Sequence, residues 1–329
     1  MAAPAFKIQL LVDGAGPGPA LLFLHGWPDD PSVYDAQIAH FKHNRKCLRA
    51  ALPWYGPRGG AKRAAGRARH ARAGYDFDAV ADAVAAAVRA EQGDDGARVA
   101  VVCHDWGAVH GLVLQHRHPA LVARMVVLDI GPPAFLWRGP KWTARDIGAM
   151  AAQGTLYQYQ LVAAYLLSYY VSESWGDRLA SSCARWAKQG MRPRDAKGRP
   201  IPGARVGGGG TNTAIAGLSG YPYWFYHANF VKGLFGLRGA MCGPGGDHFA
   251  APSCPCLFIY GAKKPFMFHT KGWARAVAAR GKADGLSAVR GVACGHWVQV
   301  ERAGEVNALA GAWLARAEAR ARGAGASRL

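Results

Sequence analysis

The chain has 329 residues, half of them apolar, which is enough for one large α/β domain with an insertion or for two modest domains. The formal net charge of +19 suggests a nucleic-acid partner, but the excess lies largely in 58–72, 192–205 and 316–328, which lack interleaved aromatic residues. We therefore expect no nucleic-acid partner. No apolar run approaches the roughly 20 residues that cross a bilayer, so we also expect no membrane span.

Cysteine usage and the first residues indicate the compartment. Seven cysteines, an odd number without a Cys-x-x-Cys pair or a Cys/His ligand spacing, predict reduced thiols inside the cell. The first segment, MAAPAFKIQLLVDG, passes directly into a strand-like alternation and lacks a signal-peptide pattern.

Short apolar segments predict six strands: FKIQLLV, ALLFLHG, KCLRAAL, RVAVVCH, ARMVVLDIG and PCLFIYGA. Amphipathic helical segments separate most of them, so we predict an α/β fold with a mostly parallel central sheet flanked by helices. Residues 133–252 are instead helical and aromatic. We expect a helical cap there, inserted into a core formed by 1–132 and 253–329, with a frayed basic tail from about Arg320.

The strand RVAVVCH leads into the tight turn Cys103-His104-Asp105-Trp106-Gly107 and then into a helix. Strand, turn and helix in this order are typical of a nucleophile elbow, whose middle residue is strained and exposed at the helix N-terminus. Asp105 occupies that position, where the helix dipole favours its ionised form. An N-capping role is the alternative for this Asp.

A carboxylate nucleophile defines the chemistry of such a site. It can displace a leaving group from saturated carbon and become an alkyl ester, which water must then hydrolyse. That hydrolysis requires a general base and an oxyanion hole. His296, in the segment CGHWVQVE before the last helix, is the candidate base.

Three motifs, HGWPD, CHDWGA and CGHWVQVE, occur in this order around the helical insertion and together resemble the α/β-hydrolase fold epoxide hydrolases. Haloalkane and fluoroacetate dehalogenases are relatives of that family. The resemblance covers about 6–314 and implies an ester on Asp105 that His296 helps to hydrolyse. It also implies an oxyanion hole made by the backbone N–H groups of Trp27 and Trp106. Further substrate-binding residues that it implies are His25, Pro28 and Trp297.

The acid that orients the histidine departs from the family pattern. In many epoxide hydrolases it follows the strand written here as LFIYGAKKPFMF, at the position of Lys264, and lysine cannot accept the imidazole N–H. Asp129, at the end of the strand ARMVVLDIG, lies where some dehalogenases place this acid, and we predict that it orients His296. Turn capping by Asp129, an acid from Asp247, or a histidine without a carboxylate are the alternatives.

Two cap tyrosines supply the proton to the epoxide oxygen in the family. Tyr159 in TLYQYQL and Tyr226 in YPYWFYHANF match their motifs, with Tyr157 and Tyr165 as alternatives to the first. Aromatic residues at helical spacing are more often core residues than catalytic ones, which is the competing interpretation.

The combined prediction is an epoxide hydrolase that converts an apolar, fatty or aryl epoxide to a vicinal diol with water as co-substrate, without metal or cofactor. A haloalkane dehalogenase and a ligand-binding homologue with little turnover are the alternatives. Trp27 stands where haloalkane dehalogenases commonly have Asn, and Trp106 where fluoroacetate dehalogenases have Arg.

The chain ends in Ser327-Arg328-Leu329, which resembles the Ser-Lys-Leu peroxisomal address. We therefore expect binding to a peroxisomal import receptor and a peroxisomal location, with the cytoplasm as the alternative.

Overall fold

The protein is represented by a computed structural model, which describes residues 6–55, 75–93, 98–131, 144–190, 193–201, 215–234, 251–264 and 267–326. One seven-stranded sheet, in the order β1-β3-β2-β4-β5-β6-β7, organises these residues. Its strands are β1 (Gln9–Asp13), β2 (Gly18–Leu24), β3 (Arg45–Ala51), β4 (Val99–His104), β5 (Val122–Leu128), β6 (Cys256–Gly261) and β7 (Ala288–Val292).

All pairs in the sheet are parallel except β1 with β3, which confirms the predicted mostly parallel sheet. Each of the six predicted strand segments contains a strand. β7 was not predicted, because only Val292 of its five residues is buried and because Arg290 and Gly291 interrupt its apolar sequence.

Helices cover both faces of the sheet, as alternating side chains require. Within β4, Val101 packs in the core layer under helices α2 and α3, whereas its neighbour Val102 packs in the layer under α1, α8 and α9. The helices of the core are α1 (Asp35–Phe41), α2 (Phe77–Gln92), α3 (Trp106–Arg117), α7 (Lys271–Asp284), α8 (Val298–Glu301) and α9 (Ala303–Ala326). The side chains of Asp76 and Thr270 cap the N-termini of α2 and α7.

Three further helices, α4 (Ala144–Tyr170), α5 (Glu173–Gly190) and α6 (Tyr221–Leu234), lie between β5 and β6 in the chain. This is the stretch in which we predict a cap. Its exact limits stay a prediction, since 132–143 and 235–250 lie outside the described residues. The Tyr223 ring lies edge-on to the Trp106 ring at 4.9 Å, so α6 covers the end of the elbow.

α9 continues to Ala326, so most of the segment predicted to fray from about Arg320 is helical in the structure. Glu318 anchors this helix to the sheet: its carboxylate lies 2.6 Å from the Arg45 guanidinium on β3 and 3.6 Å from that of Arg124 on β5. The tripeptide 327–329 and the alternative acid Asp247 lie outside the described residues.

Among the helices that are described, none combines the length and the apolar character needed to cross a membrane. The six cysteines in the described part of the chain are buried and form no disulfide with one another.

Candidate active site

Asp105 lies between the carboxyl end of the central strand β4 and the first residue of α3, with a left-handed φ of 54°. A residue other than glycine pays a conformational penalty at such an angle, as the predicted nucleophile elbow requires. Its backbone carbonyl accepts the first hydrogen bond of the helix, from the N–H of Ala108 at 2.8 Å. The side chain makes no capping hydrogen bond to the helix, so the capping alternative is wrong.

The Asp105 carboxylate instead faces the loop that follows β2. The Trp27 N–H donates to Asp105 Oδ1 at 2.7 Å, and the N–H of Trp106 helps to lower the pKa of the same carboxyl. Gly26 permits this approach, because a Cβ there would lie 2.6 Å from the Trp106 nitrogen and would overlap Asp105. Both predicted oxyanion donors therefore meet at the carboxylate.

His296 lies between two carboxylates. Its Nδ1 is 2.6 Å from Asp129 Oδ2, and its Nε2 is 3.6 Å from Asp105 Oδ2. The first distance is that of a short hydrogen bond, whereas the second is longer than a direct hydrogen bond. The structure thus brings Asp105, His296 and Asp129 together in the geometry of a catalytic triad.

Asp129 follows β5, the neighbour of β4 in the sheet, and its side chain is fully buried. It too has a left-handed φ, of 66°, and its N–H donates to the Ile259 carbonyl of β6 at 2.7 Å. Its Oδ2 contacts His296 and its Oδ1 contacts Lys264. A strained, buried carboxylate with both oxygens bonded in this way is more than a turn cap.

The charged groups of this cluster shift one another's pKa values. Burial alone would lower the pKa of His296, but its hydrogen bond to Asp129 and its charge interactions with Asp105 and Asp129 outweigh burial and raise it to about 9. Burial alone would raise the pKa of Asp129, but His296 and Lys264 lower it to about 2. The pKa of Asp105 is likewise lowered against the effect of burial, chiefly by His296. Both carboxylates are therefore ionised at neutral pH.

Lys264 stands at the position where the family usually has the acid, and it also belongs to this cluster. The sequence motifs indicated only that it departs from the family pattern. Its Nζ lies 2.5 Å from Asp129 Oδ1, and the Gly261 N–H donates to the same oxygen at 2.9 Å. The replacement of an acid by a lysine was the signal for this contact, because a buried ammonium needs a carboxylate partner.

His104, Asp129 and His296 place nitrogen and oxygen atoms within 4.8 Å of one another, close enough to hold a metal ion. However, Lys264 and His296 already occupy the two oxygens of Asp129, and His104 Nε2 donates to the His296 carbonyl at 3.0 Å. A cation would have to displace the Lys264 ammonium. These residues fit a triad better than a metal site.

Helices α4 and α6 place phenols near the elbow, although not the first one predicted. Tyr159 is 55% exposed and stacks on His227, so the prediction that it faces the elbow is wrong. Tyr157, two residues earlier, points to another side of α4 and packs edge-on against Tyr223 at 5.8 Å. Burial raises the pKa of Tyr157 to about 12, and the charge of Asp105 adds to the effect.

Two phenols of α6 complete the cluster. Tyr223 and Tyr226 are buried one turn apart, and both rings lie edge-on to Trp106, at 4.9 and 5.6 Å. Burial raises the pKa of each well above its usual value, and the charge of Asp105 contributes for Tyr223. Tyr165, the other alternative, stacks on Trp224 instead.

The residues predicted to bind substrate serve the framework with their polar atoms. His25 is bonded through Nδ1 to the Gly26 carbonyl and accepts at Nε2 from the Leu52 N–H, and burial lowers its pKa to about 4. The Trp297 indole donates to Asp29 Oδ2 at 2.8 Å, which joins the His296 loop to the Trp27 loop. Pro28 is buried and follows a cis peptide bond. No polar atom of these three side chains remains for a ligand.

The fold and the triad agree with the match of residues 21–309 to the Alpha/beta hydrolase family. The chain belongs to that family, which confirms the fold class predicted from the three motifs.

Among known proteins, the chain is similar to epoxide hydrolase 3 of Mus musculus, with 26% identity over 155 residues, which are 47% of this chain and 38% of that protein. The chain thus matches less than half of that relative's length. An epoxide hydrolase from Vigna radiata has a similar structure, with a TM-score of 0.59 and 15% identity over 94% of both chains. A putative acyltransferase from Salmonella enterica has a TM-score of 0.64 and 17% identity over 94% of this chain and 91% of that one.

Proposed function

We propose that this protein is an epoxide hydrolase that converts apolar epoxides to vicinal diols through an ester on Asp105. One observation carries the proposal. The Asp105 carboxylate has Oδ1 on the Trp27 N–H and Oδ2 toward His296, under a cluster of cap phenols. The relative with 26% identity is named as an epoxide hydrolase, which supports this reading.

In the first step, Asp105 Oδ2 attacks a carbon of the epoxide ring and the carbon–oxygen bond opens. The oxygen takes a proton from a cap phenol. Tyr223, which packs on Trp106 beside Asp105, and Tyr157, which packs on Tyr223, are the candidates. Tyr226, expected from its motif, packs beside them on Trp106 and stays a candidate donor.

In the second step, His296 Nε2 removes a proton from water, and the hydroxide attacks the ester carbonyl carbon of Asp105. The Trp27 and Trp106 N–H groups stabilise the resulting oxyanion. The ester carbon–oxygen bond then breaks and the diol leaves with a proton from His296. The regenerated Asp105 carboxyl group gives up its proton, and the cap phenolate takes one up again. Ester formation removes the negative charge of Asp105, one of the two that raise the pKa of His296. Ester formation therefore lowers the pKa of the imidazole at the stage when a base is needed.

A single turnover of styrene oxide in heavy-oxygen water tests the nucleophile. We expect mass spectrometry to find the label in the peptide that contains Asp105, since water attacks the carbon of that carboxyl group. The His296→Gln variant should instead accumulate protein that is heavier by one epoxide molecule, because the ester forms but is not hydrolysed.

Asp105→Ala is the matched control and should give neither label nor adduct. Diol formation by the wild-type protein without label in Asp105 would exclude the ester mechanism. Absence of both turnover and adduct would favour a ligand-binding homologue.

A second candidate activity, the displacement of halide from haloalkanes, is favoured by the Trp27 indole. Its Nε1 is buried and has no hydrogen-bond partner among the described residues, beside a carboxylate nucleophile. An indole N–H can stabilise a departing halide, which needs no proton. Halide release from 1-bromobutane, measured beside diol formation, separates the two activities.

The peroxisomal location also stays a proposal. A tripeptide such as Ser327-Arg328-Leu329 acts only at a free carboxyl terminus. Fusion of the last ten or so residues to a fluorescent protein should give punctate fluorescence, and diffuse fluorescence would contradict the proposal.

A further inference from the structure

The Lys264 ammonium and the His296 imidazole share one carboxylate. Lys264 Nζ lies on Asp129 Oδ1 and His296 Nδ1 on Oδ2, at 2.5 and 2.6 Å. The side chains of Lys264, Asp129 and His296 are 3%, 0% and 5% exposed, so water does not screen their charges. The buried Lys264 ammonium would be destabilising without a carboxylate partner, and the buried Asp129 carboxylate would be destabilising without a cation.

The charges around His296 balance in the free protein. Asp105 and Asp129 carry two negative charges, and protonated His296 carries one positive charge. Burial lowers the pKa of Lys264, but the contact of its Nζ with Asp129 Oδ1 favours the ammonium, which is the second positive charge. Other titratable groups near this cluster are His104, at a ring distance of 4.5 Å from His296, and His269, Cys294 and Glu301, which interact with Lys264. Burial raises the pKa of the Cys294 thiol to about 12, so it is neutral. Burial lowers the pKa of both His104 and His269 to about 4, so they are neutral. Burial raises the pKa of Glu301, whose Oε2 accepts from the Gly295 N–H.

We propose that Lys264 is a positioning residue that holds the Asp129 carboxylate toward His296 and balances its charge, so that the imidazole loses its proton once Asp105 is esterified. The proton passes from Nε2 to solvent, and no electrons are exchanged. The catalytic part of this inference rests on the proposed function, whereas the effect of Lys264 on His296 is a property of the free protein.

The physical reason is the charge that remains around His296 after the ester has formed. With Asp105 neutralised, His296 faces only Asp129. If Asp129 were a bare buried carboxylate, it would keep the imidazole protonated and the base inactive at neutral pH. Paired with Lys264, the same carboxylate still accepts the Nδ1–H and fixes the ring, but its charge is largely compensated. Lys264 thus preserves the orientation of the His296 ring while it lowers the proton affinity of that ring.

Titration of His296 by NMR in the Asp105→Asn variant tests this directly, because the neutral amide stands in for the ester. The His296 resonance is assigned by its loss on a further His296→Gln substitution. We expect Lys264→Met in this background to raise the pKa of His296 by about one unit, the size typical of a nearby buried charge. Lys263→Met removes the same charge from an exposed neighbour on the same loop and should leave the titration unchanged.

Catalysis provides the second measurement. In an otherwise native chain, Lys264→Met should shift the acidic limb of the pH profile of ester hydrolysis upward by a similar amount, and Lys264→Arg should restore most of it. Ester formation, measured by stopped flow, should change less than ester hydrolysis. A purely structural role would lower both steps without moving the pH profile.

A titration midpoint of His296 that is unchanged or lower in Lys264→Met overturns the inference. If that variant does not fold, Lys264→Gln, which keeps a donor for Oδ1 without the charge, is titrated in its place with the same expectation. Failure of the proposed function is seen separately. The wild-type protein would then leave epoxides unchanged, while the NMR titration would still report the effect of Lys264.

Discussion

Single residues of this site hold positions that the sequence motifs predict only in part. The sequence was sufficient to predict three of them, because each lies in a recognisable local pattern: Asp105 in a tight turn, His296 in a Gly-His-Trp segment and Asp129 at the end of an apolar strand. Tyr157 could not be distinguished from Tyr159, because both lie on one helix and only tertiary packing decides which side of α4 meets α6. The Lys264 ion pair also required coordinates, since it depends on the register between β5 and β6.

The phenols of the cap give a prediction at this scale. We expect Tyr157→Phe to lower the rate of ester formation from styrene oxide about 10- to 100-fold, because the opening oxygen loses a proton donor. Tyr223→Phe and Tyr226→Phe, measured in parallel, identify the second donor by a loss of similar size. Single-turnover kinetics by stopped flow provide the measurement.

Tyr159→Phe is the matched control, since it removes a phenol from the exposed side of the same helix. Its rate should stay within about twofold of the wild-type rate. A loss at Tyr159 as large as that at Tyr157 would contradict the placement of these two side chains.

At the level of elements, loops at the carboxyl ends of five parallel strands assemble the site. Trp27 follows β2, Asp105 follows β4, Asp129 follows β5, Lys264 follows β6 and His296 follows β7. The crevice at this end of a parallel sheet is the usual place for ligands. The alternation of apolar segments was sufficient to predict the strands themselves, except for β7, whose half-exposed sequence lacks the apolar pattern of the others.

The contact between the β2 loop and the elbow gives the second prediction. Gly26→Ala should lower the melting temperature by several degrees and abolish turnover, because a Cβ there overlaps Asp105 and would push the Trp27 N–H away from Oδ1. Thermal unfolding followed by circular dichroism, together with the epoxide assay, measures both effects.

Gly304→Ala is a suitable control because a Cβ at that helical glycine meets nothing within 4 Å. It should leave activity intact and slightly raise the melting temperature, since alanine favours the helix. Equal loss of stability in the two variants would show that the close approach at Gly26 is not the cause.

For the molecule as a whole, buried histidines determine how stability depends on pH. The pKa of His296 is raised from 6.5 to about 9, so the folded state binds more protons than the unfolded state in this range. Its stabilising effect is complete below pH 6.5 and is lost as the pH rises toward 9. His25, His104, His110 and His269 have pKa values lowered by burial, and their effect is lost as the pH falls below 6.5.

We therefore expect the free energy of unfolding in urea to be greatest near pH 6.5 and to decline on both sides. His296→Gln should remove most of the decline between pH 6.5 and 9 and leave the acidic decline in place. A decline on the alkaline side that persists unchanged in this variant would show that another group causes it.

The sheet order gives the two halves of the site different resistance to local opening. β4, which leads to the proposed nucleophile Asp105, has every residue buried and a strand on each side, whereas β7, which leads to the proposed base His296, is an edge strand with most of its residues at least partly exposed. Amide hydrogens of β4 should exchange only on global unfolding, and those of β7 through smaller fluctuations. Partial melting of this edge would detach His296 while Asp105 stays in place. Under the proposed mechanism, a molecule opened in that way could still be alkylated but could not hydrolyse the ester, so mild heating in the presence of substrate should leave part of the protein modified until the edge closes again.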